Sequence, residues 1–360
     1  MEGLVMAQVI AYETSAGRRY MVRYRKPDGK QTKKRGFTRK REASDFASTV
    51  EVSKLQGTFI PEALGRAKVG DLGLAWIRRQ SDWKESYDYT MRSTWWTHVE
   101  PRWGQTAIAD VNRVDVEDWV SGMGRSRSVA SRCVTILNGI LDDAVAKRLI
   151  VANNVGKVAL PRKDQKPRLY LSHEQVAAFA AAAGDLGVIV NVLAYTGLRW
   201  GELAGLHGTD IDPVGRRISV NRNAVQVGSR VVLGTPKTHE LRTVPLPKFL
   251  ADELKGIKWP GIAFPDAKGN YRRSPRASTS KRSWWRTAVL EAGIPEVTPH
   301  DLRHTAASLA VQSGAHVKAV QRMLGHKSAA MTLDVYSDLF DSDLDLVADA
   351  MEAARLSALK

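Results

Sequence analysis

Four short stretches after residue 195 hold residue types that could do chemistry on an anion. They are Thr196-Gly197-Leu198-Arg199-Trp200-Gly201-Glu202-Leu203, Thr235-Pro236-Lys237-Thr238, Pro299-His300-Asp301-Leu302-Arg303-His304 and Leu324-Gly325-His326-Lys327. Tyr336 follows His326 by ten residues. Arginine offers a planar fork of donors that matches an oxyanion, lysine offers a compact ammonium, and a phenol becomes a nucleophile once its proton is taken. Each stretch also has an ordinary reading when taken alone. Arg199-x-x-Glu202 has the spacing of a surface ion pair, Lys237 falls where a turn lysine is simply solvated, and a lone tyrosine such as Tyr336 commonly half-buries for packing. His300 and His304, four residues apart, would suit zinc. No Glu follows His300 as a metalloprotease helix requires, however, and cysteine ligands are missing, so no metal is assigned.

Positioning these residues is work for a mixed, mainly helical unit. Ser172 with Gln175 forms a capping box before an alanine-rich helix. A second helix, Leu186 to Tyr195, ends at Gly197. Strand-like runs follow at Arg217–Asn221, Ala224–Val227, Arg230–Leu233 and Arg242–Leu246, with Lys237 on the turn after the third. The chain then returns to helix at Lys281–Ala292, His300–Ser313 and Val317–Leu324. Thr298 caps the helix that puts His300 and Arg303 on one face, three residues apart. A C-terminal amphipathic segment carries Leu344, Val347, Met351 and Ala354 as an apolar stripe.

The rest of the 360 residues is organised differently. The net charge of +16 favours a polyanionic partner, and the 43% apolar content excludes wholesale disorder. A single cysteine, Cys133, excludes an internal disulfide, and the N-terminus shows no secretory signal. The most apolar stretch, Leu186 to Leu198, is too short for a membrane span, so no membrane partner is expected. Between Arg18 and Arg41 there are twelve Lys or Arg and one acid, Asp28. Ala7–Tyr12, Tyr20–Tyr24 and Gln31–Phe37 read as three strands, and Thr38 as the cap of a helix over Arg39–Leu55. A three-stranded sheet backed by one helix could lay Arg19, Arg23, Arg25, Lys33 and Lys34 on DNA phosphates.

A linker at Gly57–Gly70 leads to a helical unit with Trp76, Trp95, Trp96 and Trp119 on core faces. In this unit Ser128 caps a helix from Val129 to Ala146. A second linker, Asn153–Lys166, carries Arg162 and Lys163, which could track a DNA backbone. Three domains are expected, at 1–60, 67–155 and 168–360. The fold class is multidomain and mainly α with α+β parts.

Arg199, Lys237, His300-x-x-Arg303, Gly325-His326 and Tyr336, in that order, resemble the active site of the tyrosine recombinase (phage integrase) family. The helix ending Ala144-Val145-Ala146-Lys147-Arg148-Leu149-Ile150-x-x-Asn153 is similar to the last helix of the family's core-binding domain. The basic N-terminal sheet resembles the arm-type DNA-binding domain of integrases that use accessory sites. The resemblance implies that Arg199 and Arg303 stabilise charge on phosphate oxygens and that His300 accepts the proton of the nucleophile Tyr336. It also implies that His326 donates to phosphate, that Lys237 protonates the leaving 5′ oxygen, and that Glu202 braces the site.

The implied reaction passes through a 3′-phosphotyrosyl link and needs no cofactor. The implied partners are double-stranded DNA at core-type and arm-type sites, a homotetramer on that DNA, and accessory DNA-bending or directionality proteins, in the cytoplasm of a bacterial host. Two alternatives stay open: a type IB topoisomerase-like nicking and resealing enzyme, and a non-catalytic DNA-binding regulator on the same scaffold.

Overall fold

The computed structural model describes residues 7–162, 168–234, 241–257, 259–275, 283–328, 330, 333 and 344–359. The chain divides into two compact units, Met1–Asp164 and Gln165–Lys360.

The first unit contains two separate cores. Strands β1 (Gln8–Thr14), β2 (Gly17–Arg25) and β3 (Gln31–Phe37) form an antiparallel sheet in the order β1-β2-β3, backed by helix α1 (Lys40–Leu55). Alternation along β2 sends Tyr20, Val22 and Tyr24 towards α1, where Val22 meets Ala43 and Ala47 in the core. The helix begins one residue later than its expected start. Thr38 spends its hydroxyl on the Glu42 carboxylate at 3.1 Å instead of capping, and Arg39 occupies the cap position. The linker at Gly57–Gly70 is partly structured. It contains the short helix α2 (Glu62–Gly65), and Phe59 stands edge-on to Tyr24 with ring centroids 5.9 Å apart.

The second core of this unit is helical: α3 (Val69–Arg78), α4 (Glu85–Thr94), α5 (Glu100–Trp103), α6 (Arg113–Gly122) and α7 (Arg127–Ala146). A π-turn, Trp95–Val99, joins α4 to α5. Trp95 is fully buried, but Trp96 is 55% exposed, against the expectation that both face the core. Successive helical residues diverge by about 100° and cannot share one stripe. Trp76 and Trp119 pack against the core from its edge. Helix α7 is capped at Ser126, two residues before Ser128, and the two hydroxyls bond each other at 3.1 Å. Cys133 is buried on α7 among aliphatic side chains, where burial raises its thiol pKa to about 11. It is a packing residue.

The second unit wraps its larger apolar core around helix α9 (Gly187–Thr196), which packs against both α8 (His173–Ala182) and α13 (Pro299–Gln312). The expected capping box opens α8: Gln175 N–H donates to Ser172 Oγ at 3.3 Å, and Ser172 N–H to Gln175 Oε1 at 2.9 Å. After α9 come α10 (Trp200–Ala204) and two antiparallel sheets. One has the order β4-β5-β8, from Ile211–Asp212, Arg217–Val220 and Arg242–Pro245. The other pairs β6 (Asn223–Val227) with β7 (Arg230–Gly234). Helices α11 (Lys248–Lys255) and α12 (Trp284–Glu291) complete that core. Helix α14 (Val317–Leu324) forms a smaller apolar cluster with α13, through Val320 and Leu324 against Ala307 and Val311, and a C-terminal helix spans Leu344–Ala358. Among the described residues, no helix is long and apolar enough to cross a membrane.

Gly73 on α3 lies against the Trp95 indole, and a Cβ there would stand 2.2 Å from Trp95 Cη2. Gly73→Ala should therefore lower unfolding stability. Overpacking costs about 1–3 kcal/mol, more than the roughly 1 kcal/mol that alanine gains in helix propensity. Urea unfolding measures this, and an increase in stability would contradict the packing described.

Candidate active site

The site begins at two helix ends. The apolar run of α9 stops at Gly197, whose φ of 65° is left-handed, and a Cβ there would meet Leu324 Cδ2 at 2.6 Å. Helix α14 stops at Gly325 in the same way, with φ 64°. Both corners need glycine, because that backbone conformation disfavours a side chain and the neighbours leave little room.

Arg303 joins the two corners. It lies on α13, is 2% exposed, and donates Nη1–H to the Gly197 carbonyl and Nη2–H to the Leu324 carbonyl, both at 2.6 Å. Helix α13 is oriented by its own first turn, where Thr298 and Asp301 form a reciprocal capping box with Pro299 at the first position. Asp301 is thereby a capping residue. Helix α13 is buried on several sides, and its run of small residues, Thr305, Ala306, Ala307 and Ser308, lets its neighbours, α9 among them, approach closely. Sequence motifs more than a hundred residues apart are thus tied by one guanidinium.

Arg199 opens α10 and is held by Glu202. The Arg199 backbone N–H donates to Glu202 Oε2 at 2.9 Å, and its Nη1–H to Oε1 at 2.8 Å. Glu202 is 1% exposed and receives a second, two-toothed bond from Arg242 on β8, at 2.9 Å and 2.6 Å. Burial alone would raise the Glu202 pKa. Hydrogen bonds and charge from Arg242, with further help from Arg199, overcome that and pull it down to about 2. Glu202 is thus held ionised between Arg199 and Arg242. The Arg199 side chain remains about one-third exposed.

The histidines face this cationic cluster as neutral groups. His326 is pushed down to about 4, by burial first and then by the fields of Arg303 and Arg199. Its backbone is fixed by an exchange with Gln321: His326 N–H donates to the Gln321 carbonyl at 3.1 Å, and Gln321 Nε2–H to the His326 carbonyl at 3.0 Å. The His300 pKa is lowered by desolvation and then by Arg303, and its outer edge stays open to solvent. The His304 ring stands edge-to-face with His300, with centroids 4.7 Å apart, and is lowered to about 4 by burial and by His300. A neutral imidazole carries one acceptor and one N–H donor, so His300 can take a proton while His326 donates a hydrogen bond.

The structure therefore brings Arg199, Glu202, His300, Arg303 and His326 into one electrostatic neighbourhood. Lys237, between β7 and β8, and Tyr336, after α14, lie outside the described residues. Among the described residues, no group of three His, Cys, Asp or Glu side chains is placed to hold a metal. Arg242 is the site residue that the sequence reading missed.

The N-terminal sheet sorts its cations by face. Arg23 is paired across the ladder with Lys33, and Met21 with Arg35, on the face away from α1, where Arg19 and Arg25 also fall by strand alternation. Like charges directly opposite each other cost stability unless an anion sits over them. Arg35 belongs to this exposed set and was not singled out from sequence. Lys34 lies on the other face, pairing with Glu62 at 2.9 Å and standing 4.7 Å over the Phe46 ring. Arg162 is exposed, and Lys163 lies outside the described residues.

Comparison with known proteins gives concordant matches. The model of the phage integrase family matches residues 169–343. The integrase of Mycobacterium phage L5 is 29% identical over 266 residues, covering 70% of each chain. Tyrosine recombinase XerC of Mycobacterium leprae is 28% identical over 277 residues, covering 70% of this chain and 87% of that one. Among solved structures, the Tn1549 transposon integrase in complex with a circular intermediate DNA aligns with a TM-score of 0.63 at 21% identity, covering 75% of this chain and 95% of that one. A lambda integrase tetramer bound to a Holliday junction aligns at 0.58 and 19% identity, covering 89% and 96%.

The Glu202 brace has a pH signature. Its folded pKa of about 2 lies below the ordinary 4.5, so the folded state binds fewer protons. Its contribution is complete above about pH 5 and is lost as pH falls towards about 2, a difference of about 3 kcal/mol. Glu202→Gln should lose less stability over that range than the unchanged chain in urea titrations. Equal slopes would contradict the ionised assignment.

Proposed function

The chain belongs to the phage integrase family through the domain at residues 169–343, and from that premise we propose how it works as a site-specific DNA recombinase. It cuts and rejoins double-stranded DNA to integrate, and in reverse to excise, a phage or mobile element. The observation that carries this reading is the junction of three distant motifs on Arg303 and Glu202, which gathers a cationic pocket suited to a phosphodiester.

In the proposed reaction, the Tyr336 phenolate attacks the phosphorus. The 3′-phosphotyrosyl bond forms as the bond to the 5′ oxygen breaks. His300 takes the phenol proton, and Lys237 gives a proton to the departing 5′ oxygen. Arg199 and Arg303 stabilise the charge that grows on the non-bridging oxygens, and His326 donates a hydrogen bond to one of them. Attack of a new 5′ hydroxyl reverses each step, so the phosphodiester bond energy is conserved and neither ATP nor a metal is consumed.

Two further parts follow. The exposed face of the N-terminal sheet, with Arg19, Arg23, Arg25, Lys33 and Arg35, binds phosphates of an accessory arm-type site while the rest of the chain holds the core-type site. Two-site binding raises the effective concentration of one DNA segment near the other. Four copies act together on DNA. The C-terminal helix Leu344–Ala358 docks on a neighbouring copy, supported by its exposed Met351 and Leu356. Accessory DNA-bending and directionality proteins would select integration or excision inside the bacterial host.

Two experiments test this. DNA crosslinked to the purified chain is sequenced to define the core site, and a nicked duplex of that site is offered to the protein. A covalent protein–DNA band should form, and Tyr336→Phe should abolish it. Absence of the band from the unchanged chain would leave the non-catalytic regulator, and relaxation of plasmid DNA without two-site recombination would favour the topoisomerase-like alternative. Changing Arg23, Arg25 and Lys33 together to Ala should weaken arm-site binding and lower its log–log salt slope by about 2–3, leaving core cleavage intact. Lys34→Ala should leave that slope unchanged, since Lys34 serves Glu62.

A further inference from the structure

Arg242 is joined to two of the motifs above from a third position. It extends from β8, where Val220 pairs with it across the sheet, and its side chain is only 10% exposed. Its Nη1 and Nη2 atoms grip the two Glu202 oxygens, at 2.9 Å and 2.6 Å. Its Nε donates to the Met323 carbonyl at 3.2 Å, in the last turn before the Leu324-Gly325 corner. The same side chain lies against Gly325, where a Cβ would come within 3.0 Å of Arg242 Cδ. One planar group thus touches both the brace that orients Arg199 and the corner that delivers His326.

We propose that Arg242 is a positioning residue for strand cleavage, locking the Glu202 carboxylate to the turn before His326 so that Arg199 and His326 hold their places around the same phosphate. The proposal rests on the recombinase reading and assigns Arg242 no contact with DNA. Arginine is the residue that can do this. It directs three N–H bonds in fixed directions to the two oxygens of one carboxylate and to one carbonyl, whereas lysine has a point charge on a flexible stem and glutamine has no charge. Without Arg242, Glu202 would keep only the Arg199 donors and would be a buried carboxylate short of charge compensation. Its proton affinity would rise, because the bonds and charge of Arg242 are the largest influences lowering it. Among the described residues, Arg199 is the other charged group acting on that carboxylate, and protonation of Glu202 would loosen it.

The test uses the full chain and the nicked core-site duplex, in single-turnover cleavage at saturating protein over pH 5 to 9. Arg242→Gln should slow cleavage by about 100-fold, the scale of a 1 Å misplacement. Its duplex affinity should stay within about threefold, because the DNA-facing groups remain. The acid limb of its pH–rate profile should move to higher pH than in the unchanged chain, as the Glu202 proton becomes harder to remove. Arg242→Lys should cleave at an intermediate rate. In the Glu202→Gln background, adding Arg242→Gln should cost far less than it does alone, because the two act as one unit.

Cleavage by Arg242→Gln at the unchanged rate would overturn the proposal. So would a slow variant whose acid limb stays in place and whose losses simply add to those of Glu202→Gln, since that is how a generally weakened fold behaves. If the unchanged chain itself forms no covalent adduct, the recombinase reading has failed first, and the two failures are told apart by that control.

Discussion

A buried guanidinium between two helix ends is the constraint on which the catalytic unit depends. Arg303 sits within α13 at 2% exposure, and a charge removed from water to that degree needs compensation. It finds this at the carbonyls of Gly197 and Leu324, at the C-terminal ends of α9 and α14. Helix C-termini carry partial negative charge and unsatisfied acceptors, so a cation is favoured there. The arrangement works in both directions. The corners stabilise the arginine, and the arginine fixes the separation of the corners that present Arg199 and His326. The glycines at 197 and 325 follow from the same geometry, since each corner turns left-handed against close neighbours.

Around that point the charge is deliberately unbalanced. Arg199 and Arg242 both bond one buried anion, Glu202, which is committed to bracing, while Arg303 is held by the Gly197 and Leu324 carbonyls. The histidines are neutral because burial and the arginine fields disfavour another proton. A pocket of this kind is at its least stable when empty and gains most when an anion enters, so it favours accumulation of negative charge on a phosphate in the transition state. The same logic appears on the N-terminal sheet, where Arg23 and Lys33 repel across one ladder position and no acid stands among the described strand residues of that face.

Several of the elements around the candidate site were legible in the sequence because short-range spacing carries its own local structure. Thr298 with Asp301 and Ser172 with Gln175 are caps that can be read from spacing, and Gly197 marks a helix end. Arg242 was not legible. It lies in an ordinary strand pattern, and its partners are 40 and 81 residues away, so only tertiary structure gives it meaning. Lys34 and Lys33 are adjacent in a basic run, and only the pleat of β3 sends one to Glu62 and the other to the open face. Trp96 was misread because two neighbouring tryptophans were given to one core face, and Thr38 and Ser128 because each had a nearby side-chain partner for its hydroxyl.

The central claim is that this cationic pocket directs a phosphorus atom onto one phenol. Mass spectrometry of the trapped protein–DNA adduct, after digestion of both components, tests it most directly. The expected spectrum assigns a nucleotide linked through its 3′ phosphate to the peptide containing Tyr336, with the complementary DNA product ending in a free 5′ hydroxyl. A nucleotide on any other residue, or a 5′-phosphate linkage to Tyr336, would contradict it.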